Sequence, residues 1–516
     1  MGESSTNNAD STVGEAGVPD YYLPPDMQFI SWDFPNICHT GIDIDYKLTG
    51  YDYYDRELSW SIVEGPEGMS IDSDGTLHWT PESEQITTVT VNLLFDGTDQ
   101  VSKQFNISVD DSKCIFISPD GNDETGDGSR DMPYALFEEA AAEAIYNMEG
   151  GCTVYLRGGE YTGYMSWFDS DNYPYMRQLN LLDLEENDPV TIRNYPDEEP
   201  IYNLTGTGFR LYNDFWIFYG LEISGGTGSE AGGLCLGGKS AAKKMYVHDY
   251  DQSYTNNPTG VRISGDAVLD QVIAGDNYDR DYPTHHNSSN FLFYGTGESL
   301  TGNAYFIDCL SLGYSSVGFK IKHAGDETRL HIHKCADVGT LMSWGGAQNQ
   351  TTIRNSYFIA SESSEKTAVS LSVTDPTTDG EVNLDEGMLI ENNLIIQPSS
   401  EGKATAQASW TFDTTPETPA YWRGNTIESY ATGAGNIFCA GEWTSNTVSD
   451  SWTVVFEENT VYTTKADTAL IISGETGSLD DLFAYGNDNE TFSAPGSYEF
   501  EVAGVAISVD GGAASY

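Results

Sequence analysis

A short apolar segment that recurs along the chain constrains the fold more than any other feature. Three copies are Gly233-Leu-Cys-Leu236, Gly260-Val-Arg-Ile263 and Asn290-Phe-Leu-Phe293, and a fourth, Gly318-Phe-Lys-Ile-Lys-His323, adds two lysines and a histidine. The starts at 233, 260, 290, 318 and 339 are about 21–30 residues apart, a period typical of solenoids. The chain is therefore predicted to form a stack of coils, in which each repeat packs only against its neighbours.

Composition supports an all-β chain and restricts its partners. The 516 residues are too many for one compact core, and 53 glycines with 32 tyrosines suit short strands joined by turns. The net charge is −57, from 80 acidic and 23 basic residues, which argues against a nucleic-acid partner. No apolar run is long enough to span a bilayer. We predict a secreted or cell-surface bacterial protein of a saline habitat, with a lipid anchor left open.

The seven cysteines show no metal-binding spacing and are predicted to be mainly buried thiols. Cys309 and Cys335 occupy similar places in successive repeats, and we expect them to stack in the interior. Asparagines recur just before strands and are expected to build an internal amide ladder at one corner of the coils. They are Asn355, Asn392, Asn393, Asn425 and Asn459.

Three regions are predicted. Residues 1–25 are polar and aperiodic, as in a disordered tether. Residues 26–110 alternate apolar and polar positions between turn signals, which indicates a β-sandwich. Their run LSWSIVEGPEGMSIDSDGTLHWTP resembles the cadherin-like or immunoglobulin-like modules of bacterial surface proteins and polysaccharide-degrading enzymes. The resemblance implies a spacer or binding module without chemistry of its own.

Residues 111–516 begin with CIFISPDGNDETGDGSRDMPYALFEEAAAEA, followed by GGCTVYLRGGEYTG. These runs resemble the opening of secreted right-handed parallel β-helix proteins of the pectate-lyase-like superfamily. The predicted fold is all-β: a right-handed parallel β-helix solenoid with an N-terminal β-sandwich (immunoglobulin-like) domain. A helix at about 134–146 would cover the first coil, as solenoids require. The alternating segment 498–509 is predicted to cap the C-terminal end.

The candidate site follows from alternation of side chains along strands. If the apolar positions of the repeats point inward, Arg262, Tyr294, Lys320 and Lys322 line one external face. Further candidates for binding are His323, Arg329, His285 and His286. Six of the eight histidines and many of the basic residues fall between 239 and 334. Such a positive patch on a strongly acidic chain predicts an anionic ligand.

β-Elimination in a uronic-acid polymer requires a base for the proton α to the carboxylate and positive charge for the enolate. A lysine among other cations has a lowered pKa and suits the role of base. The segment GFKIKHAG resembles the "GFK-G" coil of the family 9 polysaccharide lyases, which are pectate lyases of this fold. The resemblance implies that Lys320 is the catalytic base. We expect Tyr294 to donate a proton to the leaving oxygen.

The chain departs from that family at the calcium site. The family's calcium-binding aspartates precede the lysine, but the corresponding stretches, 257–261 and 288–292, contain no carboxylate. Ca²⁺ therefore stays a possible cofactor without a matched site, with Asp249, Asp251 and Asp266 as candidate ligands. The favoured function is a lyase that cleaves an acidic polysaccharide. The alternative is a non-catalytic carbohydrate-binding or adhesive surface protein.

Overall fold

The computed structural model describes residues 28–516 apart from a set of gaps, and it describes most but not all side chains within those ranges. The gaps are 30–32, 35, 53–55, 98, 149, 164–173, 207, 227–231, 251–258, 278–287, 295–300, 314, 323–326, 347–350, 365–367, 375–388, 400–405, 412–419, 431–437, 443–453, 464–469, 473–474, 478–487, 492–495 and 511. The prediction for the tether 1–25 lies outside the described residues.

Three long sheets form the body of the protein, and the chain visits them in turn, one strand per sheet per coil. Sheet A contains Cys114–Ile117, Cys152–Leu156, Val190–Asn194, Trp216–Tyr219, Ala241–Lys243, Val268–Asp270, Thr301–Ile307, Glu327–His333, Thr351–Arg354, Leu389–Glu391, Ala420–Arg423 and Val454–Glu457. Sheet B contains Gly159–Gly163, Pro200–Leu204, Glu222–Gly225, Tyr246–His248, Ile273–Gly275, Leu310–Leu312, Ala336–Val338, Tyr357–Ile359, Leu394–Gln397, Thr426–Ser429, Thr460–Thr463 and Asp488–Thr491. Sheet C contains Phe209–Leu211, Leu234–Leu236, Thr259–Ile263, Ser289–Tyr294, Val317–Lys322, Met342–Gly346, Val369–Thr374, Ala406–Thr411, Phe438–Glu442, Leu470–Ile472 and Glu475–Gly477.

The strands pair in parallel from coil to coil, apart from an antiparallel closing pair at the end of sheet C. This arrangement is the predicted parallel β-helix. The predicted repeats are the sheet C strands, with apolar residues facing inward: Phe291 stacks on Phe319 of the next coil with ring centres 4.9 Å apart. One predicted repeat start was wrong. Gly339 lies in a turn, and its coil enters sheet C at Met342.

The corner between sheets A and B is a two-residue turn in most coils; between Asn194 and Pro200 it holds five residues. In one coil Lys243 ends the sheet A strand and Tyr246 begins the sheet B strand. The first turn residue takes a left-handed conformation, as at Lys244 (φ 49°), Asn355 (φ 50°) and Asn392 (φ 56°). Asparagine tolerates this conformation better than most residues, which explains why it recurs there.

The second turn residue points inward and builds the predicted ladder. Asn393 N–H donates to the Asn425 side-chain oxygen, and Asn425 N–H donates to that of Asn459, both at 3.0 Å. Asn355 and Asn392 are the turn residues outside this ladder. Towards the N-terminus Cys309 and Cys335 occupy the same positions, with Cys309 N–H 3.4 Å from the Cys335 sulfur. Their predicted interior stacking is therefore confirmed.

The N-terminal module has a four-stranded and a three-stranded sheet. The four-stranded sheet contains Ile37–Cys38, Asp99–Val109, Gln85–Phe95 and Leu58–Glu64. The three-stranded sheet contains Ile44–Lys47, Thr76–Trp79 and Ser70–Ile71, and a separate pair contains Gln28–Phe29 and Gly50–Tyr51. One apolar cluster runs from this module into the β-helix, so the module packs directly on the coils.

Sheet A carries the module on its outer face. Lys243 forms an ion pair with Asp33 of the module, and both side chains are fully buried. Thr49 of the module donates to the Asp270 carboxylate at 2.8 Å. Tyr46 stacks on Tyr219 with ring centres 5.0 Å apart.

The helices are short. A 3₁₀-helix occupies Asp111–Lys113, a π-helical turn occupies Phe137–Ala141, and α-helices occupy Ala142–Met148 and Pro174–Leu179. The helix predicted at about 134–146 is thus found slightly later. Its inward residues Phe137 and Ile145 are buried in the main core.

The C-terminal strands do not form the predicted end cap. Ser497–Val502, Val505–Asp510 and Ala513–Ser515 make a small antiparallel sheet that lies along the outer face of sheet B. Phe500 stacks on Tyr357 with ring centres 3.8 Å apart. The cause is the outer face of sheet B, where apolar side chains such as Leu310 need a cover.

Candidate functional site

The outer face of sheet C brings predicted site residues into one column. Strand register aligns Arg262 with Leu292 and Leu292 with Lys320, so the two cations stand two strands apart. At the usual spacing of parallel strands this separation is about 9.6 Å. Apolar neighbours on the same strands, such as Phe293 and Ile321, are buried in the core. The predicted inward and outward assignment is therefore correct for Arg262 and Lys320.

Arg262 is held by aromatic rings. Its guanidinium carbon lies 4.5 Å from the centre of the Tyr294 ring and 5.9 Å from that of Tyr212. Among the described residues it makes no ion pair with a carboxylate. A guanidinium on aromatic faces keeps its planar array of donors available, so Arg262 is suited to bind an incoming carboxylate.

Lys320 is shielded from water. Its side chain is only 4% exposed although it points away from the apolar interior. This burial excludes a freely solvated lysine on an exposed strand. Charged side chains are rarely buried unless they are paired or hydrogen-bonded.

Sequence reasoning missed Arg210, which extends the column. Register aligns Arg210 with Cys235 and Cys235 with Arg262, and Arg210 is 3% exposed. Burial raises the pKa of the Cys235 thiol, while the positive charges of Arg210 and Arg262 lower it. Cations thus occupy alternate strands of the column. The signal was present in Phe209-Arg-Leu211, an apolar–basic–apolar triplet like Val261-Arg-Ile263.

The remaining predicted residues are less well placed. Lys322 continues the sheet C strand and pairs in register with Tyr294. Arg329 belongs to sheet A, so it does not share the column of Lys320. His285, His286 and His323 lie outside the described residues.

The predicted positive patch divides between two faces. His331 and His333 lie on sheet A, where Tyr51 of the N-terminal module packs against them with ring centres 5.5 and 5.3 Å away. Burial lowers the pKa of His333 to about 3, so it is neutral at ordinary pH. Lys243 is likewise part of the module interface. In the sequence these residues appear together with the sheet C cations because the stretch 239–334 spans several coils. It therefore contains strands of all three sheets.

The candidate calcium ligands do not converge. Asp249 directly follows a sheet B strand and accepts a hydrogen bond from His248. Asp266 lies two residues before a sheet A strand and accepts from Asn303 N–H. They occupy different corners of the coil and cannot share one ion, and Asp251 lies outside the described residues. Within the described ranges no three acidic, histidine or cysteine side chains form a metal-binding group.

The comparisons with known proteins concern the fold. No protein-family model and no curated protein matches the chain. The chain is similar to a solved rhamnogalacturonan lyase at 14% identity, over 65% of this chain and 87% of that one, with a TM-score of 0.42. It is similar to pectate lyase Pel9A at 14% identity, over 71% of this chain and 82% of that one, with a TM-score of 0.33. It is similar to a family 28 exopolygalacturonase of Yersinia enterocolitica at 10% identity, over 91% of this chain and 92% of that one, with a TM-score of 0.31. These scores are too low to support a substrate or a residue role.

No helix among the described residues is long and apolar enough to cross a membrane.

Proposed function

We propose that this protein is a lyase that cleaves an acidic polysaccharide by β-elimination on the outer face of sheet C. The observation that carries the proposal is the column in which Arg262 and Lys320 stand two strands apart beside Tyr294. On a chain with a net charge of −57, such a column is a local site for a carboxylate-bearing polymer.

Each residue has a defined part in the reaction. Arg262 binds a uronate carboxylate and offsets the charge of the enolate that forms next to it. Lys320 removes the proton α to that carboxylate. The electron pair of the broken C–H bond forms a C=C bond as the C–O bond to the next sugar breaks. Tyr294 donates a proton to the departing oxygen.

Secretion and the use of calcium are part of the same proposal. We propose that the enzyme meets its polymer outside the cell, as a secreted or cell-surface protein. Calcium would act by screening the repulsion between two polyanions, an effect that does not need the aspartate site. Calcium should then be replaceable by other salts.

The test is incubation of the purified chain with a panel of uronic-acid polysaccharides, with and without calcium. Unsaturated products would raise the ultraviolet absorbance. We expect Lys320→Ala to lower the rate by about 10²–10⁴-fold, as for loss of a general base. The matched control is Lys244→Ala, since Lys244 is a partly exposed lysine paired with Asp45 at 3.7 Å on the module side.

Two results would contradict the mechanism. One is full activity in Lys320→Ala. The other is binding of a polymer in the panel without any cleavage, which would favour the alternative of a carbohydrate-binding or adhesive surface protein.

A further inference from the structure

The strand that carries Lys320 contains an irregularity just before that residue. On one side it pairs regularly with Ser289–Tyr294. On the other side Val317 pairs with Met342 but Lys320 pairs with Trp344, so this strand has one extra residue. This is a β-bulge, a feature that re-aims side chains and is frequent near active sites.

At the bulge, a backbone N–H group donates a hydrogen bond to a side chain of the neighbouring strand. Phe319 N–H donates to the Ser343 hydroxyl at 3.3 Å. The same hydroxyl donates to the Asp337 carboxylate at 2.6 Å. Ser343 and Asp337 are 4% and 3% exposed, so both hydrogen bonds lie in the interior.

Asp337 points into the bore of the β-helix. Its neighbours Ala336 and Val338 face the C-terminal strands on the outside of sheet B, so alternation directs Asp337 inward. Ser311 donates to one carboxylate oxygen at 2.8 Å, and Thr340 donates to the other at 2.8 Å. Three hydroxyls therefore hold this carboxylate in a fixed orientation.

The carboxylate also explains the glycine of the unusual repeat. A Cβ atom on Gly318 would lie 2.1 Å from the Asp337 carboxyl atoms, closer than real Cβ contacts allow. The same corner two coils earlier holds Gly260, where a Cβ would lie 2.5 Å from the Asn277 amide. The glycine and the buried acid therefore fit each other.

Stability alone does not require an acid at this position. The same inward position of sheet B is Ala274 two coils earlier and Phe358 and Ile395 in the next two coils. Burying a carboxyl group in such a column is unfavourable unless it is fully hydrogen-bonded. Burial raises the pKa of Asp337 to about 6, which reflects this cost. An energetically unfavourable group beside a bulged strand therefore calls for an explanation other than stability.

We propose that Asp337 and Ser343 are positioning residues that fix the bulge at Gly318–Phe319 and thereby set the direction of the Lys320 side chain. The proposal rests on the proposed function of Lys320. Neither residue touches the polymer, because both lie inside the coil.

The test compares two buried serines. Ser343→Ala removes the acceptor for Phe319 N–H, whereas the control Ser356→Ala removes the acceptor for Cys335 N–H, 3.1 Å away at the corner between sheets A and B. Both serines are buried. We expect a similar fall in thermal midpoint in both variants. Only Ser343→Ala should lower kcat, by roughly 10–100-fold with KM little changed, as for a small misplacement of a catalytic group.

Backbone amide exchange gives a second readout that needs no activity. Exchange in peptides covering 317–322 should become several-fold faster in Ser343→Ala and stay unchanged in Ser356→Ala. Asp337→Asn, which is nearly isosteric, should change kcat and exchange in the same direction by a smaller factor.

Unchanged exchange at 317–322 in Ser343→Ala would overturn the inference. So would an equal loss of kcat in the two serine variants. If the wild type cleaves no polymer, the proposed function fails, and the exchange result still decides whether Ser343 fixes the bulge.

Discussion

The outer faces of sheets A and C both carry cationic side chains, but they hold them in different ways. On sheet A, Lys243 is paired with Asp33, and Arg354 and Arg423 are both paired with Glu391 at 2.7 and 2.5 Å. On sheet C, Arg262 lies against two tyrosine rings instead. The charge of Lys243 is neutralised by a buried acid, whereas Arg262 has no carboxylate partner among the described residues.

The structure distinguishes cations of the module interface from cations of the outer face of sheet C, which the composition alone does not do. Positive charges in 239–334 appear as one patch in the sequence. In the structure the N-terminal module covers one part of it, and the other part faces outward from sheet C. Variants that remove one cation from each face therefore test the distinction.

The largest expected effect on stability is at the covered face. Lys243→Met leaves the fully buried Asp33 without its counter-charge, and breaking a buried pair in this way costs about 3–5 kcal/mol. Urea unfolding would measure it. The control is Lys103→Met at the same interface, where the pair with Glu186 is 3.8 Å long and partly exposed, so the cost should be under about 1 kcal/mol. Equal costs would show that burial does not distinguish these pairs.

The interior beneath sheet C gives a pH-dependent effect. The folded pKa of Asp337, about 6, is above its ordinary value of 3.8, so the folded state binds this proton more tightly. The resulting stabilisation is present below about pH 4 and is lost as pH rises through about 6. Asp337→Asn lacks this dependence. Its free energy of unfolding should therefore rise by about 2–3 kcal/mol relative to wild type as pH increases between those two values. Unfolding free energies at several pH values would measure the gain.

Asp74→Asn is a control of opposite sign. Burial raises the pKa of Asp74, but hydrogen bonds from Thr76 outweigh it and the net pKa is lowered. The stabilisation that ionised Asp74 provides is lost as pH falls. As pH rises, Asp74→Asn should therefore lose stability relative to wild type. Parallel behaviour of the two variants would contradict the assignment for Asp337.

The smallest expected effect is at the open face. Arg262→Gln removes a cation that has no carboxylate partner among the described residues, so the free energy of unfolding should change by less than about 1 kcal/mol. Polymer binding should weaken roughly 10-fold, with a weaker dependence on salt. Lys244→Gln makes the same charge change on the module side and should leave binding within about twofold. Calorimetric titration would measure the polymer affinity of both variants. Equal losses of affinity would indicate non-specific charge attraction alone.

Much of the fold was predictable because the repeat, the alternation and the turn residues are local signals. The ladder of Asn393, Asn425 and Asn459 follows from asparagine before strands, and inward Phe319 follows from alternation. The C-terminal strands were misplaced because alternation shows that a segment has an apolar face but not what covers it. Tyr498 to Val509 suits the flank of sheet B as well as an end.

The site was only partly predictable for a related reason. Alternation placed Arg262 and Lys320 on one face, but it could not show that Arg210 joins them or that Arg329 belongs to sheet A. Those assignments depend on where each coil turns. Asp337 gave no signal at all, because an acidic residue in a strand of an acidic chain is expected at the surface.

The two-residue corner between sheets A and B has a consequence for how such a chain can change. The strand of sheet A and the next strand of sheet B are separated by two residues in most coils and by five, 195–199, between Asn194 and Pro200. The connections on either side of sheet C vary from the three residues 339–341 to the fourteen residues 375–388. New chain length therefore accumulates mainly around sheet C, and specificity can diversify there while the stack itself is inherited unchanged.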